Sequence, residues 1–186
     1  MPPPLPIPRA VRDIRRKRIN RAPSPALALI LPWVLVIFGS LLPTIPTIAS
    51  TPLMPPLGYM LLVAQLQQRP GLFPAWAGFP LGLVDDLFSG QPFGSAALLW
   101  SLTVLLLEAQ EYRFPWRNYL QDWAVGTALV AGYLVFAAFL AGIGSQLVPL
   151  ATILPQIGIA ILAFPLAGRI AAMCDRLRLY PLRDIG

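Results

Sequence analysis

The sequence predicts an all-α polytopic membrane protein, a bundle of six transmembrane helices with proline-kinked spans and both termini in the cytoplasm. Three observations carry that prediction. Of 186 residues, 56% are hydrophobic and only 12% charged, where an ordinary soluble domain is about 25% charged. Six apolar segments follow one another along the chain. The arginines fall in the two terminal tails, between alternate segments and, as Arg169, at the inner end of the last segment, so that all of them are expected on one side of the membrane.

Residues 1–25 read as a proline-rich and polybasic cytoplasmic tail. MPPPLPIPRA lacks the apolar side chains a core needs and is expected to be disordered or extended. The run containing Arg12, Arg15, Arg16, Lys17 and Arg18 leads straight into an apolar segment. Its expected partner is therefore anionic lipid, at about 1 kcal/mol per basic side chain, and not nucleic acid. The apolar run beyond it is longer than a signal-peptide core, and Thr47-Ile48-Ala49 is a poor cleavage site, so an uncleaved first span is expected.

The six segments lie at about 26–43, 53–67, 72–88, 95–110, 122–142 and 147–172. The second and third are short for a hydrocarbon core of about 30 Å, and they contain Pro55-Pro56 and Pro80, so kinked or partly re-entrant helices are expected there. Pro32, Pro155 and Pro165 extend the pattern to the first and last segments. Residues 26–173 thus form the transmembrane domain, and 174–186 a basic cytoplasmic tail. Alternating the sides from a cytoplasmic start places Arg69, Arg113, Arg117, Arg169, Arg176, Arg178 and Arg183 inside. The outer connections, at about 44–52, 89–94 and 143–146, carry no charge and are too short to hold an extracytoplasmic domain.

The catalytic inventory is thin. The chain has no histidine and one cysteine, Cys174, which removes His/Cys metal sites, an internal disulfide and a histidine general base. Neither metal, cofactor nor enzymatic activity is expected.

Against this background Asp85 and Asp86 stand out, inside an apolar stretch and on a period-four ladder of Gly78, Gly82, Asp86, Gly90 and Gly94. A carboxylate in a bilayer is costly, and small residues four apart let a second helix approach closely. Neighbouring positions on a helix diverge by about 100°, so Asp86 shares the glycine face while Asp85 is expected to meet water near the outer surface. An acid at a helix C-terminus is locally unfavourable, which points to contact with another helix as the reason for Asp86. Gly90 and Gly94, on either side of Gln91-Pro92, are expected in a turn. Glu108 and Glu111, near Arg113, suggest an interfacial ion pair, with a proton or ion relay as the sharper alternative. Asp122 with Arg117, and Asp175 with Arg176 and Arg178, read as further interfacial pairs. The aromatic residues between Tyr112 and Trp123 suggest a headgroup belt.

The run Gly82-Leu83-x-x-Asp86-Leu87-Phe88-Ser89-Gly90-x-Pro92-Phe93-Gly94 resembles the GLxxDxxSGxPxG helix-turn-helix of the rod shape-determining protein MreD family. The resemblance covers about a tenth of the chain; Asp86 matches the family position, whereas Asp85 and the proline-rich extension depart from it. It implies a non-enzymatic, multi-pass protein of the bacterial inner membrane, a scaffold of the cell-elongation machinery that helps maintain rod shape and control peptidoglycan synthesis. It further implies docking of an MreC-like bitopic partner and, through it, an MreB-like cytoskeleton and a synthase pair of a SEDS glycosyltransferase with a penicillin-binding transpeptidase. Gly78, Gly82, Asp86, Gly90, Pro92 and Gly94 would form the partner-docking motif, with Asp85 and Glu108 as an uncertain polar site. The family fold is similar to substrate-binding subunits of energy-coupling-factor transporters. A small-solute transporter, or a membrane subunit of that type, is therefore the alternative.

Overall fold

Each apolar segment becomes a helix in the computed structural model, which describes residues 21–22, 25–44, 54–113, 118–142, 149–178 and 183–184. The basic run Arg12 to Arg18 and Arg117 lie outside these residues, as does most of the segment read as a disordered tail. The helices are α1 (Pro25–Leu41), α2 (Leu57–Gln68), α3 (Gly78–Ser89), α4 (Ser95–Arg113), α5 (Tyr119–Gly142) and α6 (Leu150–Arg178). Among the described residues the only other regular structure is a 3-10 turn, Leu42–Thr44, and a two-residue antiparallel pairing of Arg21 with Asp184 and Ala22 with Arg183.

Two of these helices, Tyr119–Gly142 and Ala151–Arg178, are long and apolar enough to cross a membrane, while Ala26–Leu41 and Ser95–Gln110 are shorter apolar helices. At 1.5 Å per residue the 12 residues of α2 and of α3 reach only about 18 Å.

The prolines sit where a helix tolerates them better than the sequence suggested. Pro56 precedes α2 and its carbonyl accepts the Met60 amide at 3.0 Å. Pro80 occupies the first turn of α3, where an amide has no intrahelical partner to lose. The expected third span also begins later than drawn. Residues 72–77 form bends and turns, with Ala77 N–H donating to the Pro74 carbonyl at 2.8 Å, because apolarity alone does not separate an apolar loop from a helix. Phe73 in that loop is fully buried, its ring edge-on to Trp33 of α1 at 5.6 Å. Pro32, Pro155 and Pro165 do lie inside α1 and α6. Pro32 leaves the Ala28 carbonyl without its usual helical donor, and Arg178 donates to that oxygen at 3.4 Å.

Helix α2 is the axle of the bundle. Ten consecutive residues, Gly58 to Gln67, are buried, and α1, α4, α5 and α6 all pack on it. A helix that is apolar all round is the kind that is enclosed on every side. Its few polar groups are answered by its neighbours: Gln67 Nε2 donates to the Asp122 carbonyl at 2.9 Å, and Gln68 Nε2 to the Gly168 carbonyl at 2.8 Å. Large side chains point outward from the surrounding helices, among them Leu29, Phe38, Leu105, Phe136 and Leu162, the last 82% exposed.

Successive helices alternate in direction. Ser40 meets Gly58, and Gln156 donates to the Met54 carbonyl at one end; Gln68–Gly168, Arg69–Asp175 and Arg178–Ala28 contacts lie at the other. The basic end is tied together through Asp175. Arg69 bonds to its Oδ2 at 2.7 Å and Arg178 to its Oδ1 at 2.8 Å. Arg178 thus answers the Asp175 pairing expected from sequence, but the second partner is Arg69, not Arg176. Helix α6 runs on to Arg178, five residues into the stretch read as a tail, because charge ends a hydropathy window without ending a helix. Asp175→Ala is expected to cost about 1–2 kcal/mol at low salt and less at high salt, since Arg69 is half exposed. Thermal unfolding of the detergent-solubilised protein at two salt concentrations checks this.

Candidate functional site: the α3–α4 hairpin

The segment 78–98 folds as a helix-turn-helix. Helix α3 ends at Gly90, whose φ of 68° is the left-handed conformation that a glycine cap adopts without strain. Gly94 is also left-handed, at φ 93°, and between them Pro92 turns the chain, its carbonyl accepting the Ser95 amide at 3.0 Å.

Asp86 holds this turn shut. Its carboxylate accepts the amides of Gly94 and Ala96, each at 2.9 Å, the amide of Ala97 at 3.1 Å and the Ser95 hydroxyl at 3.3 Å. The first amides of a helix have no intrahelical acceptor, and the helix N-terminus favours negative charge. Asp86 is only 5% exposed, and four bonds fill the acceptor sites of its two oxygens. The acid at the end of α3 is thus explained by the start of α4, whose N-terminus it caps from outside the helix.

The glycine seam has a partner within the chain. A Cβ on Gly82 would lie 2.5 Å from Ala97 Cα, and one on Gly78 would lie 2.7 Å from Ser101 Cα. Both glycines let the backbones of α3 and α4 touch. The residues expected to form one partner-docking ladder therefore do three different things. Gly78 and Gly82 seat α4, Asp86 caps it, and Gly90, Pro92 and Gly94 shape the turn. None of the three close contacts at Gly78, Gly82 and Asp86 is open to a second protein.

Asp85 departs from expectation in the other direction. It points away from Asp86, as helical spacing requires, but toward the bundle instead of water. The Tyr133 hydroxyl of α5 donates to Asp85 Oδ2 at 3.3 Å. The Tyr133 ring stacks on Tyr59 at 4.3 Å, and the Tyr59 hydroxyl lies 2.7 Å from Thr103 Oγ1. Tyr59 also packs beside the fully buried Trp100. Asp85 is thus the outer member of a line of polar and aromatic groups threading α3, α5, α2 and α4. Tyr59, Thr103 and Tyr133 were not singled out in the sequence; polar atoms inside otherwise apolar helices were the available signal.

Glu108 is partly buried and lies twelve residues beyond Ala96, about 18 Å along α4 from the Asp86 cap, so it forms no site with the aspartates. Among the described residues no group of three His, Cys, Asp or Glu side chains could hold a metal ion. Outside the hairpin, a cavity of ≈ 520 Å³ opens between α2, α5 and α6 at the basic end. No family model, curated protein or solved structure matches the chain.

Proposed function

We propose that the chain is a six-span, MreD-like scaffold of the bacterial inner membrane, without enzymatic activity, that docks the transmembrane helix of an MreC-type bitopic protein. Through that partner it would act on an MreB-like cytoskeleton and a peptidoglycan synthase pair. The observation that supports this reading is the part each motif residue plays in one rigid hairpin. Gly82, Asp86, Gly90 and Gly94 build that hairpin together, which makes the motif a device for presenting a fixed surface. The surface is the outward side of the hairpin, where Phe79, Leu87, Phe88, Phe93 and Leu98 are exposed. Apolar exposure of this kind is what a lipid or helix contact uses. The gathering of Arg69, Arg169, Arg176 and Arg178 at one end, with alternating helix directions, supports an even number of spans and a cytoplasmic basic face. The transport alternative loses one of its two acids, since Asp86 has no acceptor site left for a solute.

Single cysteines at Leu87, Phe88 and Phe93, in a Cys174→Ser background, should cross-link to the partner's membrane helix in cells. A cysteine at Leu162, exposed on α6, which packs mainly on α1, α2 and α5, should not. Equal labelling at all positions, or rod-shaped growth without the protein, would overturn the assignment.

A further inference from the structure

We propose that the cleft where the start of α1 meets the α2–α3 loop and the end of α6 binds a phosphate group, held by Arg69 and Arg178. The cleft measures ≈ 460 Å³, within the range of about 300–1,000 Å³ common for small-ligand pockets. It forms where α2 stops. Pro70 and Gly71 make a tight turn, closed by the Leu72 amide donating to the Arg69 carbonyl at 3.1 Å. Gly71 takes a φ of 74° there, a conformation that side chains rarely adopt. The turn sets Arg69 on the cleft beside Leu29 of α1 and Arg178 of α6, and no acid is on its lining.

Two guanidiniums here are answered by one carboxylate. Arg69 donates to Asp175 Oδ2 through Nε at 3.0 Å and Nη2 at 2.7 Å. Arg178 donates to Oδ1 through Nε at 2.8 Å, and to the Ala28 carbonyl through Nη1 at 3.4 Å. A guanidinium carries five N–H donors, so each arginine keeps donors beyond these bonds. Asp175 itself lines a separate pocket of only ≈ 10 Å³, with Pro32 and Cys174, and not the cleft. It therefore fixes both arginines from outside the cleft and leaves one positive charge unanswered among the described residues. Fixed guanidinium forks match the several oxygens of a phosphate. Leu29, 68% exposed, and Leu72 put apolar surface beside the arginines. A phosphate joined to acyl chains would use both surfaces, a free phosphoester only the arginines. On the proposed topology this end lies at the level of inner-leaflet headgroups. The expected source is thus an anionic phospholipid, and that choice of source rests on the membrane reading above.

Native mass spectrometry of the full chain, extracted from membranes and delipidated, tests this with phosphatidylglycerol, phosphatidylcholine and glycerol phosphate. Phosphatidylglycerol should be retained about tenfold better than phosphatidylcholine, whose own cation offsets its phosphate. Arg69→Gln and Arg178→Gln should each lower that retention about tenfold. Arg69→Lys, which keeps charge without the fork, should bind at an intermediate level. Arg169→Gln, in the cavity between α2, α5 and α6, should behave as wild type. Thermal unfolding of each variant separates lost binding from lost folding. If Arg178→Gln does not fold, Leu29→Asp is the second variant: it sets an acid on the cleft without touching an arginine, and should lower retention as much. Equal retention of both lipids by the wild type, or unchanged retention in a folded Arg69→Gln protein, would overturn the proposal. Displacement of the lipid by an equal concentration of glycerol phosphate would keep the phosphate site and assign it to a soluble phosphoester. Cross-linking at Leu87, Phe88 and Phe93 does not involve this cleft. A partner cross-linked by a chain with no lipid preference would remove this proposal alone, and lipid preference without a cross-link would remove the scaffold reading alone.

Discussion

Gly82→Leu is expected to be the most damaging single change in the hairpin, costing more than about 3 kcal/mol. A leucine Cβ there would fall 2.5 Å from Ala97 Cα and 2.6 Å from the Ala96 carbonyl. Those are backbone atoms, so no rotamer change relieves the overlap and the two helices must separate. Separation also pulls Ala96 and Ala97 away from the carboxylate that caps them. The expected result is a protein that is scarce in membranes and unfolds early when solubilised. Gly82→Ala should fail in the same direction, because the first carbon of the side chain already causes the conflict. Ala97→Gly should not rescue it, since that change removes only a Cβ and leaves the obstructing Cα in place. Rescue by Ala97→Gly would show that the seam is looser than described. Membrane abundance and thermal unfolding of the three variants decide the point.

Asp86→Ala is expected to cost about 2–4 kcal/mol, through the loss of a charged cap and of four hydrogen bonds at a buried site. Two features make this change informative. The donors left behind are mainly backbone amides of Gly94, Ala96 and Ala97, which no side-chain rotation can redirect. Asparagine keeps one acceptor oxygen and loses the charge, so Asp86→Asn should fall between wild type and alanine. Unfolding can be followed by intrinsic fluorescence, because the fully buried Trp100 lies one turn beyond the capped end of α4. Equal melting of wild type and Asp86→Ala would show that the carboxylate does not hold the hairpin. A merely external docking role would give that result, with partner binding lost and stability kept.

The six helical segments were readable because long apolar runs between charged or proline-rich breaks leave few other folds. The sites were readable only in part. The period-four ladder correctly marked a close helix contact at Gly78 and Gly82, but periodicity on one helix does not say which helix fills the seam. Asp86 looked locally unfavourable because its ligands are amides eight to eleven residues further on, and a backbone amide has no signature in sequence. Asp85 was assigned to water for a similar reason. Its partner, Tyr133, is 48 residues away, on a helix whose rotation the sequence alone does not specify. The Arg69–Asp175 contact spans 106 residues, whereas local spacing favoured Arg176. What sequence missed was consistently the identity of a partner far along the chain.

The burial of α2 bears on how such a chain is made. Synthesis and insertion proceed from the N-terminus, yet the groups that answer α2 arrive late. Gln67 waits for a carbonyl 55 residues ahead, Gln68 for one 100 residues ahead, and Arg69 for Asp175. In a bilayer a short helix with two glutamines at its end is a poor independent span. On the proposed membrane reading, α2 would need shelter from lipid until α6 has been made. A chain truncated before α6 should thus be a substrate for quality-control proteolysis, because the groups that answer Gln68 and Arg69 lie on α6.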